Sequence, residues 1–135
     1  PLREELPRLE GMARKVRDVH GARDPRKFDL IVSVIVALRA ELESHMMKEE
    51  QILFPMITTG SGAMADGPIS VMEDEHESAG AALRQLRELT DGYEVPEEAC
   101  NTWRALWAGL AALETELHQH IHLENNILFP RALAS

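Results

Sequence analysis

An all-α fold, an up-down-up-down four-helix bundle, is predicted by three features of this sequence. Apolar residues recur every three or four positions along four long stretches. The breaks between them are short and carry Gly, Pro and small polar residues. Ala, Leu, Glu and Arg are common, while aromatics make up only 4% of the 135 residues, a composition that favours helix over strand.

The first helix is expected over residues 2–20, where Leu2, Leu6, Leu9, Ala13 and Val16 form a stripe; Gly21 and Asp24-Pro25 end it. The second is expected over 26–54, with Val34, Leu38, Leu42, His45, Glu49 and Ile52 along one side and Pro55 as its stop or kink. The segment Thr58 to Gly67 is rich in small residues and reads as a loop. The third helix starts near Pro68 and runs to about Thr90, with Ile69, Met72, His76, Ala79 and Leu83 on one face, and Asp91-Gly92 closes it. The fourth starts near Pro96-Glu97-Glu98, since acids suit a helix N-terminus. Its seam is Trp103, Leu106, Leu110, Leu113, Leu117, His120, Glu124 and Ile127, in alternating steps of three and four, with Pro130 as its end. Short loops between long amphipathic helices give the bundle its antiparallel order. A chain of this length fits one domain over 1–135.

The formal net charge of −9 argues against nucleic acid and anionic membrane as partners, since both repel an acidic surface. The longest apolar run, Leu30 to Leu38, is too short to span a bilayer, and no signal peptide is evident. Cys100 is the only cysteine, so no intrachain disulfide forms, and a reducing, cytoplasmic setting is expected. It reads as a small buried hydrophobe rather than a nucleophile.

One pattern demands a chemical reason. HMMKEEQILFP, His45 to Pro55, returns 75 residues later as HIHLENNILFP, His120 to Pro130. Both copies keep a His and a Glu four apart, followed by Ile-Leu-Phe-Pro. Residues i and i+4 stand one above the other on a helix, and both pairs fall on expected seams. A Glu in a core is costly unless it is paired or bound to a cation. His76 lies on the apolar side of the third helix. Three histidines and two carboxylates thus converge from three helices. Imidazole and carboxylate without thiolate suit iron, manganese or zinc. Glu41, four residues before His45, and Glu75, next to His76, are candidates to support such a centre from outside the ligand set. His118 and His122 turn to other faces and read as solvated. His20 reads as a helix-end histidine. Met46, Met47, Trp103 and Trp107 read as core or groove filling, and the Ile-Leu-Phe-Pro tails as packing at the helix ends.

With these residues in place, the chain resembles the hemerythrin-like domain of the RIC (repair of iron centres) proteins, over essentially its whole length. The most specific stretches are Ser44 to Met56, Gly67 to His76, Glu97 to Trp103, and His120 to Leu133. The resemblance implies a four-helix bundle holding two non-haem iron ions, oxo- or hydroxo-bridged. Glu49 and Glu124 would bridge them, and His45, His76 and His120 would be terminal ligands. It implies repair or protection of iron–sulfur clusters under nitrosative or oxidative stress, by iron delivery, nitric oxide chemistry or both. Nitric oxide or dioxygen, and damaged iron–sulfur proteins, would be the partners. The family pattern also has a histidine on the first helix and a small N-terminal domain with a cysteine pair. No His occurs in residues 1–19, so the sixth ligand is expected just upstream of Pro1 and the chain is expected to be part of a longer protein. A dioxygen carrier or sensor of hemerythrin type is the alternative; five histidines are usual there, and this chain shows three. Whether the protein turns over a substrate is left open.

Overall fold

Four long helices carry the fold, and each begins where the local chemistry allows. The computed structural model describes residues 2–134; Pro1 and Ser135, the two ends of the expected domain, lie outside the described residues. Helix α1 spans Leu2–His20 and buries the whole expected stripe, Leu2, Leu6, Leu9, Ala13 and Val16. Helix α2 spans Pro25–Lys48, with Pro25 as its first residue and the Asp24 side chain accepting from the Lys27 amide. That pairing satisfies one of the amides that a helix start leaves open. Helix α4 spans Asp66–Leu89 and buries Ile69, Met72, His76, Ala79 and Leu83. Helix α5 spans Asn101–Leu123. In the bundle α1 packs on α2 and α5, and α4 packs on the same two helices. No strand occurs among the described residues, and none of their helices is long and apolar enough to cross a membrane.

The fourth helix starts later than Pro96. The Ala99 amide bonds the Pro96 carbonyl at 3.2 Å, closing a turn. Cys100 is extended (φ −76°, ψ 173°), so helical geometry begins only at Asn101. Before it, Asp91, Gly92 and Tyr93 all have positive φ, 53°, 71° and 65°. Three left-handed residues in a row reverse the chain sharply.

The larger departure from expectation lies at the Ile-Leu-Phe-Pro tails. Neither Pro55 nor Pro130 stops its helix. Instead α2 passes into a π-helical turn at Glu49–Leu53, followed by α3, Phe54–Thr58. Helix α5 does the same at Glu124–Leu128, followed by α6, Phe129–Ala134. A proline in a regular helix clashes with the carbonyl four residues earlier and lacks a donor. A wider turn just before it relieves both problems, and proline becomes the second residue of a fresh α segment. In each turn the Phe amide bonds the Glu carbonyl five residues back. The extra residue slips the helical phase. Ile52 and Ile127, expected on the seams, are 44% and 43% exposed, whereas Leu53 and Phe129 are buried.

The core is correspondingly split. A large apolar cluster fills most of the bundle and ends at Leu42 and Leu117. A small one, built on Leu53, Ile69, Met72 and Phe129, closes one end. Between them lies a polar layer.

Candidate metal centre

The polar layer is made by the repeat. His45 and His120 stand in the last turns of α2 and α5, and Glu49 and Glu124 are the first residues of the two π turns. Such turns often mark functional sites, because they aim a side chain that regular geometry would misplace. His76 comes from the middle of α4. His45, Glu49, His76 and Glu124 are buried; the His120 side chain is 41% exposed.

Five side chains meet here. His76 Nε2 lies 2.7 Å and His45 Nε2 3.2 Å from Glu124 Oε1, and the two imidazole nitrogens are 3.3 Å apart. The other oxygen, Glu124 Oε2, lies 3.3 Å from His120 Nε2. Glu49 Oε1 lies 2.7 Å from His45 Nε2 and 3.9 Å from His120 Nε2. Two groups of three can each surround a cation, His45 with His76 and Glu124, and Glu49 with His120 and Glu124. Glu124 belongs to both. Glu49 Oε1 is fully buried and accepts no hydrogen bond of good geometry. A carboxylate oxygen without a donor is costly in a protein interior, and a metal ion would supply what it lacks. The donor set, nitrogen and oxygen without sulfur, matches the expected chemistry.

Electrostatics bind the layer even without metal. Burial works to lower the His45 pKa, but the carboxylates of Glu124 and Glu49 beside its ring together outweigh burial and push it up to about 10. Glu124 and then Glu49 push His120 up to about 10, against the effect of burial. For Glu124, burial works to raise the pKa, but the three histidines outweigh it and hold the carboxyl well below its usual range.

Outside this group the two acidic candidates part ways. Glu75 Oε1 lies 3.2 Å from His45 Nδ1, and Lys48 Nζ donates to its other oxygen at 2.8 Å. Burial alone would raise the Glu75 pKa; Lys48 and His45 lower it overall. Glu41 instead accepts from Ser78 Oγ at 3.1 Å, in an exposed groove between α2 and α4. Two residues that the sequence did not single out stand at the centre's edge. Asn125 Oδ1 lies 2.8 Å from His76 Nδ1, and Lys48 secures Glu75. Asn125 carries no signal in the sequence beyond following Glu124, because its reach depends on the π turn.

His118 and His122 are exposed, as expected. Trp103 and Trp107 are buried in the large core, whereas Met47 is 48% exposed. Cys100 departs from expectation: it is exposed, and its Sγ lies 3.3 Å from His20 Nε2. Its extended backbone just before α5 holds it at the surface.

Comparison with known proteins identifies the family. The family described as "Hemerythrin HHE cation binding domain" matches residues 1–132. The chain is 53% identical over 131 residues to the iron-sulfur cluster repair protein YtfE of Musicola paradisiaca (strain Ech703), covering 97% of this chain and 59% of that protein. It is 54% identical over 131 residues to YtfE of Pectobacterium atrosepticum, and 53% over 133 residues to YtfE of Yersinia pseudotuberculosis, with the same coverage. The chain thus spans about three fifths of the length of these relatives. The resemblance read from the sequence is borne out: the chain belongs to the hemerythrin family of HHE cation-binding domains.

Proposed function

We propose that this chain is the di-iron module of an iron–sulfur cluster repair protein. One observation carries the reading: the two oxygens of Glu124 face different histidines, Oε1 toward His45 and His76 and Oε2 toward His120. A carboxylate shared in this way fits a pair of metal ions better than a single one. His45, His76 and His120 would be terminal ligands, and Glu49 and Glu124 the bridges. Bound iron would supply redox electrons and exchangeable coordination positions, and would itself be the cargo in iron delivery to damaged clusters.

The chain's own residues divide the work. His45 and His76 hold their side of the site in a dry setting, with Glu75 and Asn125 on their outer nitrogens. His120 opens on a cleft of about 340 Å³ lined by Phe54, Leu123, Ile127 and Leu128. Its apolar walls suit a neutral diatomic such as nitric oxide or dioxygen, and its openness suits release of iron from that side. The relatives' printed function, iron–sulfur cluster repair, supports this role over reversible dioxygen carriage, as does the small number of histidines.

The test is to change the bridges. Glu124→Leu should leave at most one firmly held metal ion per chain and abolish spectra of a coupled iron pair. Glu49→Leu should weaken chiefly the His120 side. A coupled pair that survives Glu124→Leu would defeat the bridging role, and a stable oxygenated spectrum in the unaltered protein would favour a carrier.

A further inference from the structure

We propose that Asn125 is a positioning residue of this centre: its Oδ1 keeps the His76 proton on Nδ1 and so presents the Nε2 lone pair to a metal ion. The inference rests on the ligand set proposed above. Each ring nitrogen of His76 has its own setting. Nε2 faces Glu124 Oε1 and His45 Nε2, inside the polar layer. Nδ1 faces Asn125 Oδ1 at 2.8 Å, on the outer side. A neutral imidazole carries one proton, and an amide oxygen only accepts. With metal at Nε2, the proton belongs on Nδ1, where Asn125 receives its hydrogen bond. The Phe129 ring stacks on the His76 ring, 5.6 Å between centroids and 8° between planes, and limits its rotation.

Besides His45, three neighbours of the His76 ring come from one short segment: Glu124, Asn125 and Phe129. In a regular helix, residues three and four apart share a face. Here the Phe129 amide bonds the Glu124 carbonyl, so the fifth residue returns beneath the first. The π turn is what gathers bridge, amide and aromatic ring around one imidazole. The other copy of the repeat shows the contrast. Glu50 replaces Asn125 there and pairs outward with Arg3 at 2.6 Å. Phe54 replaces Phe129 and is 40% exposed. The two copies therefore differ in residue at Asn125 and in burial at Phe129. His45 is supported differently again, by the carboxylate of Glu75.

The experiment is a Co(II) titration of the unaltered protein, Asn125→Leu and Asn125→Asp, with NMR of the exchangeable, paramagnetically shifted ring N–H of His76. Asn125 sits on the exposed rim, so neither change disturbs the core. Asn125→Leu should weaken one Co(II) equivalent by about 10- to 100-fold and speed solvent exchange of the His76 N–H. Asn125→Asp, which keeps an acceptor oxygen, should hold both readouts at or above the unaltered values. If either readout is unchanged in Asn125→Leu, or if Asn125→Asp is equally damaging, the positioning role is overturned. If the unaltered protein binds no Co(II), this inference falls together with the metal centre; binding that ignores Asn125 leaves the centre standing and removes only this inference.

Discussion

At the scale of single residues, the polar layer joins folding to metal binding through protons. His45 and His120 have folded-state pKa values of about 10, above the ordinary 6.5. Their contribution to metal-free stability is therefore full below about pH 6.5 and is lost as pH rises through 10. Glu124 has the opposite sign: its pKa is depressed from the ordinary 4.5, so its contribution holds above that value and is lost on acidification. A metal ion needs the neutral imidazoles, so it must displace the protons of His45 and His120. Metal affinity should rise with pH across the range 7 to 10, and binding at pH 7 should release close to two protons. Calorimetric titrations with Zn(II), in buffers of different ionisation enthalpy, count them; binding without proton release would contradict this coupling. The five central residues were legible in the sequence because a His and a Glu four apart, twice, on apolar seams, bring a desolvation cost that packing alone does not offset. Asn125 and Lys48 were not legible, because each acts on a residue of another helix through a contact that only the fold creates. Cys100 was misread for a related reason: burial of a small residue at a helix start depends on where that start falls.

At the scale of elements, the π turns separate what periodicity could show from what it could not. Steps of three and four placed α1, α4 and most of α2 and α5 correctly. They failed only beyond Glu49 and Glu124, where one extra residue per turn carries Leu53 and Phe129 inward and Ile52 and Ile127 outward. The repeated Pro was the available clue, read as a stop or kink at Pro55 and as an end at Pro130 when it marks a restart. Helix packing makes a separate prediction. Gly109 of α5 faces α1 so closely that a Cβ there would lie 2.5 Å from Leu9 Cδ2. Leu9 is fully buried and has little room to yield. Gly109→Ala gains helix propensity, yet overpacking of this kind costs about 1–3 kcal/mol, so the net effect should be a clear loss of stability. Thermal or urea unfolding measures it; an unchanged midpoint would mean that α1 and α5 can separate without penalty. A second tie holds the α4–α5 connection. Glu114, buried on α5, receives Arg87 Nε at 3.0 Å, and the Arg87 guanidinium lies over the Tyr93 ring at 5.2 Å. It was unreadable beforehand because Glu114 adjoins a seam without belonging to it.

At the scale of the molecule, topology was the most legible property, since four long amphipathic helices joined by short connections leave few arrangements. The bundle then does one specific thing with that topology. It places two His–Glu steps and one further His between a large apolar cluster and a small apolar cap. The layer is unequal by construction. The group of His45, His76 and Glu124 is buried throughout, while the group of Glu49, His120 and Glu124 includes a histidine exposed to a cleft. Metal that binds only the folded chain adds its binding free energy to stability, and the drier group should fill first. The most direct test is an anaerobic Fe(II) titration of this chain, followed by Mössbauer spectroscopy after mild oxidation. The expected result is two equivalents bound in unequal steps, with a magnetically coupled iron pair once both are in place. Failure to bind, or a single step with one uncoupled iron at saturation, would contradict the shared-carboxylate centre on which the functional reading stands.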